Sequence, residues 1–437
     1  MNKSIWQLDC RMPSFPALDG NRRTDVLIIG GGLAGILCAT ELEKQGVSCM
    51  LIEADRIMGG TSGNTTGKIT SQHGLIYRKL MKRLGREGAR GYWEAQETAL
   101  EALSNLCRDR NCDFTRKDNL IYARDQIRPL ELEYKALQDM NIPCQLDRPT
   151  DLPFPVAGAL RFPDQAQFHP GKLAAQLATE LLIFEHTVAR KIDGHKVMTD
   201  QGTVTAEKIV VATHFPILNR YGGYFLKMYQ RRSYVLALKG APTLSGMYLD
   251  YRKDGLSFRM QGEYLLLGGG GHRTGKKGGG WLELEEAAAE FYPQAMPVCR
   301  WAAQDCMTLD AMPYIGQYSP HTPDLYVATG FNKWGMTGSM LSALILGDLI
   351  RGKGNAFAEL FSPSRPMAKP QLLLNAGNAT LNLLAPTRPR CSHLGCALQW
   401  NPREHSWDCP CHGSRFDADG KVLEAPAVEN LDEKGMR

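Results

Sequence analysis

The chain has 437 residues, 43% of them hydrophobic and 22% charged, with a formal net charge of +5. That length supports two or three domains with cores of their own, and the charged fraction excludes global disorder. So mild a balance, with no Lys/Arg-rich block, argues against nucleic-acid binding. The first twenty residues include Trp6, Asp9, Pro13 and Pro16 and no apolar run, so no signal peptide is expected. The longest apolar stretch, Leu341–Ile350, is broken by Gly347 and Asp348 and is too short for a bilayer. The expectation is a soluble, cytoplasmic protein. Of twelve cysteines, eight are scattered from Cys10 to Cys306 and read as reduced thiols. The other four crowd into 391–411 beside histidines, which reads as a metal site.

Residues 25–29 are a short buried strand. The turn Gly30-Gly31-Gly32-Leu33-Ala34-Gly35 follows, then a helical run Ile36–Gln45, then the strand Cys49–Ile52, ending on Glu53. Strand, glycine turn, helix, strand and acid in that order predict a dinucleotide cradle. Gly30 permits the tight turn, Gly32 lets backbone approach a pyrophosphate, and Gly35 lets helix pack on strand. The helix start offers free N–H groups to phosphate, and Glu53 offers a carboxylate to ribose hydroxyls.

The next segment, 56–73, is rich in Gly, Thr, Ser and Asn, donors that suit a phosphate or a flavin edge. With Gly60-Thr61-Ser62 it resembles the second pyrophosphate and flavin loop of the glycine/D-amino-acid oxidase (DAO) family. The resemblance continues through Phe168-His169-Pro170, which leads into a helix, and through 202–214, a hairpin strand then a buried strand. Asp310–Gly316 then leads to the strand Leu325–Gly330. The segment Phe331–Thr337 follows and sets the N–H groups of Gly335, Met336 and Thr337 at a helix start. A positive helix end there suits the charge of reduced flavin. The resemblance covers about residues 5–365 and is nearest to members fused to a Rieske domain. It implies an α/β FAD-binding domain (Rossmann-like, glutathione-reductase-type) interleaved with an α+β substrate domain, plus a small all-β Rieske module. FAD would be held by residues 30–35, Glu53, Ala54, Gly60, Thr61, Ser62, Thr66, Val188, Ala189, Thr213, Gly330, Gly335, Met336 and Thr337.

Within the oxidoreductase part, 1–365, the FAD portion is expected at about 20–80, 155–220 and 305–365. The substrate portion takes about 81–154 and 221–304. Residues 80–140 read as helical, with 96–107 the clearest amphipathic run. Residues 228–267 read as β-rich. The glycine runs 268–271 and 278–280 lack a following helix and read as hairpin loops.

Near the C-terminus the pattern is Cys391-x-His393, fifteen residues, then Cys409-x-x-His412. It resembles a Rieske site, in which Cys391 and Cys409 would hold one iron of a 2Fe-2S cluster and His393 and His412 the other. The resemblance also implies a disulfide between Cys396 and Cys411 and a serine donor to sulfide at Ser414. Phe416 falls where high-potential relatives carry a tyrosine, so a lower potential is expected. Structural zinc is the alternative for four Cys and two His. Residues 366–390 read as a linker with a short helix, or a truncated Rieske base, leaving 391–437 as the cluster module. So small a module seldom holds itself up without a metal or a partner surface.

Three residues are candidates for the substrate side. Lys68 and His73 follow the flavin loop, and Lys68 would act electrostatically unless it is merely solvated. Arg259 would anchor a carboxylate unless it makes a surface ion pair. Cys306 lies near where some relatives attach flavin, but a buried thiol fits its spacing better. The implied reaction is oxidation of a small amine or amino acid by hydride transfer to flavin. Electrons would pass to the cluster and then to a one-electron acceptor such as a ferredoxin. The alternatives are an oxidase that uses oxygen beside a vestigial metal module, and a non-catalytic electron-transfer or redox-sensing flavoprotein.

Overall fold

The computed structural model describes residues 3–148, 150–218, 221–366 and 389–431. Nine elements position the site. They are β1 (Arg22–Ile29), α1 (Leu33–Lys44), β2 (Cys49–Ile52), β3 (Thr203–Val211), β4 (Met228–Lys239), β5 (Tyr264–Arg273), β6 (Met296–Thr308), β7 (Leu325–Thr329) and α2 (Gly335–Ile350).

The first sheet is doubly wound. Its order is Tyr314–Gln317, β7, β3, β1, β2 and Ile183–Phe184, with the hairpin Ala189–Thr199 joined to β3. β1 runs parallel to β2 and β3, and β3 runs parallel to β7. Val26–Ile29 and Cys49–Ile52 are buried without alternation, as parallel strands covered on both faces must be. α1 and α2 pack together over one face. Gly30 turns with φ +115°, and a Cβ on Gly35 would stand 2.0 Å from the Gly30 carbonyl oxygen. Only glycine permits that turn and that closeness.

The second sheet has nine strands and is mostly antiparallel. Its long strands β6, β4 and β5 lie side by side at one edge. It also takes in Lys68–Ile69 and Gly158–Gln167, both within ranges expected for the FAD portion. The expected helical region 80–140 is two helices, Tyr77–Arg108 and Arg128–Asp139, separated by the strand Thr115–Ala123. The expected glycine loop 268–271 is the end of β5 instead. The C-terminal module is a four-stranded antiparallel sheet over Gln399–Glu424. Most of the expected linker, 366–390, with its short helix, lies outside the described residues.

Candidate active site and cluster site

A single cavity of about 1330 Å³ runs between the two sheets. It exceeds the usual 300–1,000 Å³ of a small-ligand pocket, which leaves room for a dinucleotide and a substrate. Gly30, Gly32, Ala34, Glu53 and Ala54 line it at the β1–α1 turn, and Gly60, Thr61, Ser62 and Thr66 line it from the following loop. Val188, Ala189, Thr213, Gly335 and Met336 line it from the remaining segments. Gly31, Leu33, Gly35, Gly330 and Thr337 do not line it. Gly31 N–H donates to Glu53 Oε2 at 2.7 Å, and Leu33 N–H donates to Ser62 Oγ at 2.9 Å.

These residues fit FAD. Neither α1 nor α2 is capped by its own N-cap side chain, and although Ser62 takes the Leu33 N–H, the amides that follow it in α1 and the first amides of α2 face an anion site. Burial pushes the Glu53 carboxyl up, opposed by the N–H groups of Asp55 and Gly31. Each carboxylate oxygen has a second lone pair for a ribose hydroxyl.

The candidate catalytic residues separate. Lys68 lines the cavity and its Nζ donates to the Tyr248 carbonyl at 2.9 Å. Burial, and then the Arg259 charge, push its ammonium down to about 7. His73 lines the cavity too. Its Nδ1 pairs with Tyr92 Oη at 2.7 Å, its Nε2 faces the Thr70 carbonyl at 2.8 Å, and its ring stacks on Trp334. Burial lowers His73 to about 3, so it is a neutral, fixed imidazole.

Arg259 does not line the cavity, and it is not a surface residue either. It is fully buried, donates to the Gly67 carbonyl at 2.8 Å and to Gln261, and lies over the Trp6 ring. Arg259 shares the face of its strand with Ser257, which lines the cavity, but two residues further along it is closed off beneath the Gly67 carbonyl. Cys306 is a buried thiol that burial pushes up to about 12, which is no nucleophile. Lys333, passed over in the sequence, projects into the cavity beside Gly271. Its side chain is accessible from inside the cavity while protein surrounds it, and that burial pushes its pKa down. Its positive φ of 76° turns it inward, and no sequence signal marks that.

The cluster loops are built alike. Gly395 N–H donates to the Cys391 carbonyl, and Gly413 N–H donates to the Cys409 carbonyl. Cys391 N–H closes the first loop on Cys396, and Cys409 N–H closes the second on Ser414. The His393 and His412 ring centres are 5.1 Å apart. Burial holds His393 near 3 and His412 near 4, so both are neutral, the form that binds metal. His412 Nδ1 is buried with no protein partner. Cys391 and Cys409 sulfurs are in contact with each other, and Ser414 reaches Cys391. This donor set fits a 2Fe-2S cluster. The sulfurs of Cys396, Cys409 and Cys411 lie within 4.8 Å of one another. The Cys396 and Cys411 sulfurs are thus neighbours.

The module leans on the second sheet. From β4, Arg232 pairs with Glu404 and with Glu424 at 2.7 Å. Arg415 pairs with Glu404 at 3.0 Å, Glu424 at 2.9 Å and Asp408 at 2.9 Å. Gln230 Nε2 donates to the His412 carbonyl at 2.8 Å, and Gln304 Nε2 donates to the Gly413 carbonyl at 2.8 Å. A Cβ on Gly413 would stand 2.6 Å from the Gln230 side chain. Phe215 sets its edge against both His393 and His412. None of Gln230, Arg232, Gln304 or Phe215 carries a motif that sequence reading could catch.

A dinucleotide fold interleaved with a β-rich domain, bearing a two-Cys, two-His loop pair, defines a flavoprotein fused to an iron–sulfur module. The family model for FAD dependent oxidoreductases (DAO) matches residues 25–349. That for the Rieske [2Fe-2S] domain matches residues 375–434. The chain belongs to the DAO family of FAD-dependent oxidoreductases and carries a Rieske domain, so its cofactors are FAD and a 2Fe-2S cluster rather than zinc. It is 33% identical to YhfW of Bacillus subtilis, described as a Rieske 2Fe-2S iron-sulfur protein, over 98% of this chain and 97% of that one. A cytochrome b6-f complex iron-sulfur subunit of Nostoc is 54% identical over 41 residues, 9% of this chain and 23% of its own. The fold is similar to that of glycine oxidase from Geobacillus kaustophilus (TM-score 0.63, 24% identity, 79% of this chain and 100% of that one). It is also similar to L-proline dehydrogenase from P. horikoshii (TM-score 0.66, 17% identity, 79% and 98%). Among the described residues, no helix is long and apolar enough to cross a membrane.

Proposed function

We propose that this chain oxidises a small amine or amino acid at the carbon beside nitrogen and relays the electrons through its Rieske cluster to an external one-electron acceptor. Bound FAD supplies a hydride acceptor that can release electrons singly, and the cluster supplies a one-electron carrier. The observation that carries the reading is the single residue Gln304. Its backbone carbonyl accepts from Thr61 Oγ1 in the flavin loop at 2.8 Å, while its side chain holds Gly413 in the cluster loop. One residue therefore joins the two cofactor loops. The segment Thr213-His214-Phe215 makes a second bridge. Thr213 and His214 line the cavity, His214 turns with φ 64°, and Phe215 reaches the cluster histidines.

On the substrate side, Lys333 offers a cation inside the cavity for a carboxylate. Lys68 and the neutral His73 edge the same space, and His73 is held too firmly to move. Solved structures of similar fold include enzymes named for glycine, L-proline and L-amino acids, which agrees with this substrate class.

The test is anaerobic mixing of the holoprotein with a panel of amino acids and secondary amines. Flavin bleaching, followed by the paramagnetic signal of a reduced Rieske centre, is the expected sequence. Flavin reduction with no cluster signal, and peroxide under air, would replace the relay with an oxidase. No flavin reduction by any member of the panel would remove the substrate class.

A further inference from the structure

The cavity that holds the glycine turn of β1 does not close on the oxidoreductase part alone. We propose that the C-terminal module forms one wall of the FAD groove, so that FAD binding and docking of the module stabilise each other. This reading stands apart from the substrate and from the direction of electron flow.

The wall is the segment Glu424–Val428, of which Glu424, Ala425, Ala427 and Val428 line the cavity together with Gly30 and Glu53. Both of its ends are tied to segments that bound the dinucleotide groove. At one end, Gln230 Nε2 donates to the Ala425 carbonyl at 3.2 Å, and Glu424 reaches Arg232 of β4. At the other end, Arg190 donates to the Val428 carbonyl. Arg190 follows Val188 and Ala189, and that stretch is joined to the ribose acid itself, since Thr187 N–H donates to the Glu53 carbonyl at 2.9 Å. The segment leaves its strand at Glu424 and turns at Ala425 and Pro426. The segment thus passes from the neighbourhood of β4 to the adenosine end of the groove, across the crevice where doubly wound sheets bind dinucleotides. Within the module, Ala427 N–H donates to Ser414 Oγ, which fixes the wall to the second cluster loop.

A ligand that touches two bodies favours the state in which both are in place, and the coupling is reciprocal. The structure offers a way to break the dock by replacing a residue that does not itself line the groove. Glu404 and Arg232 form the centre of the ion-pair clamp, and neither lines the cavity.

Two measurements on the full-length holoprotein test the proposal, and neither uses turnover. The first follows free-flavin fluorescence after dilution of wild type and Glu404→Ala, with the cluster absorbance recorded on the same samples. At least tenfold faster FAD release, with cluster absorbance retained, is expected. The second needs no substitution and compares hydrogen exchange over 422–430 in wild-type protein with FAD bound and with FAD removed. At least tenfold slower exchange with FAD bound is expected. Equal exchange in the two wild-type samples overturns the proposal. So does FAD release within twofold of wild type from a Glu404→Ala protein whose exchange shows the module undocked. Should Glu404→Ala remain docked, the wild-type comparison alone decides.

Discussion

Replacing Arg232 with Met should undock the cluster module at neutral pH and reverse the way its docking responds to acid. Methionine keeps much of the side-chain length and removes the charge. The network now holds two guanidiniums, Arg232 and Arg415, against three carboxylates, Glu404, Glu424 and Asp408. The substitution leaves one cation against three anions. Arg415 cannot compensate, because it already donates to all three carboxylates and to Ser406. Removing one partner of a buried pair costs about 3–5 kcal/mol. At about 1.4 kcal/mol per decade, the ratio of docked to undocked module should fall roughly a hundredfold to a few thousandfold.

The pH response follows from the carboxylates. Burial alone would push Glu404 and Glu424 up, but Arg232 and Arg415 outweigh it and hold both below the usual carboxylate range. Groups depressed in this way contribute stability above their unfolded value, about 4.3, and lose it as pH falls through the folded value. Wild-type docking should therefore be flat from pH 7 to 5 and weaken below about 4. In Arg232→Met the carboxylates are buried without enough cations, so their pKa values rise and protonation relieves the cost. Docking should then strengthen as pH falls from 7 to about 5. Hydrogen exchange over Ser406–Asp408 and Val422–Glu424, with intrinsic rates corrected for pH, reads both effects. Unchanged protection at pH 7, or the wild-type direction of pH dependence, would refute the reasoning.

Three further outcomes are expected. Lys68→Met should abolish a pH limb near 7 in the rate of flavin reduction by substrate, since Lys68 loses its proton as pH rises through about 7. Survival of that limb assigns it to another group. Lys333→Met should raise KM for carboxylate-bearing substrates roughly ten- to a hundredfold, the worth of a hydrogen bond to a charged group, with a smaller change in kcat. An unchanged KM would place the carboxylate elsewhere. Phe416→Tyr should raise the reduction potential of the cluster in a titration followed by its paramagnetic signal, because a hydroxyl donor to sulfur favours the reduced form. Phe416 is fully buried in the module core, so no shift would mean that the new hydroxyl reaches no sulfur.

The sequence by itself determined what short-range geometry can encode. The turn Gly30–Gly35 is readable because a tight turn, a close helix and open amides each demand glycine within six residues. The loops around Cys391 and Cys409 are readable because their ligands are spaced by single turns of backbone. The strand Thr115–Ala123 was not readable. Its buried half, Leu120–Ala123, has no alternation, and a short apolar run between two amphipathic helices looks like more helix. The glycines at 268–271 look like a loop because glycine weakens strands, yet in β5 Gly268, Gly269 and Gly271 line the cavity where larger side chains would fill it.

Only the tertiary structure decided which charged residues face the chemistry and how the two cofactor sites meet. Arg259 and Lys333 are both lone cations in the sequence. Packing closes the first off beneath the Gly67 carbonyl and aims the second into the cavity. Gln230 and His412 are 182 residues apart, and Gln304 and Gly413 are 109 apart. Such contacts leave no periodicity and no motif. They arise because a module too small to bury its own charged underside finds its partners on β4 and β6, and that surface exists only once the second sheet has formed.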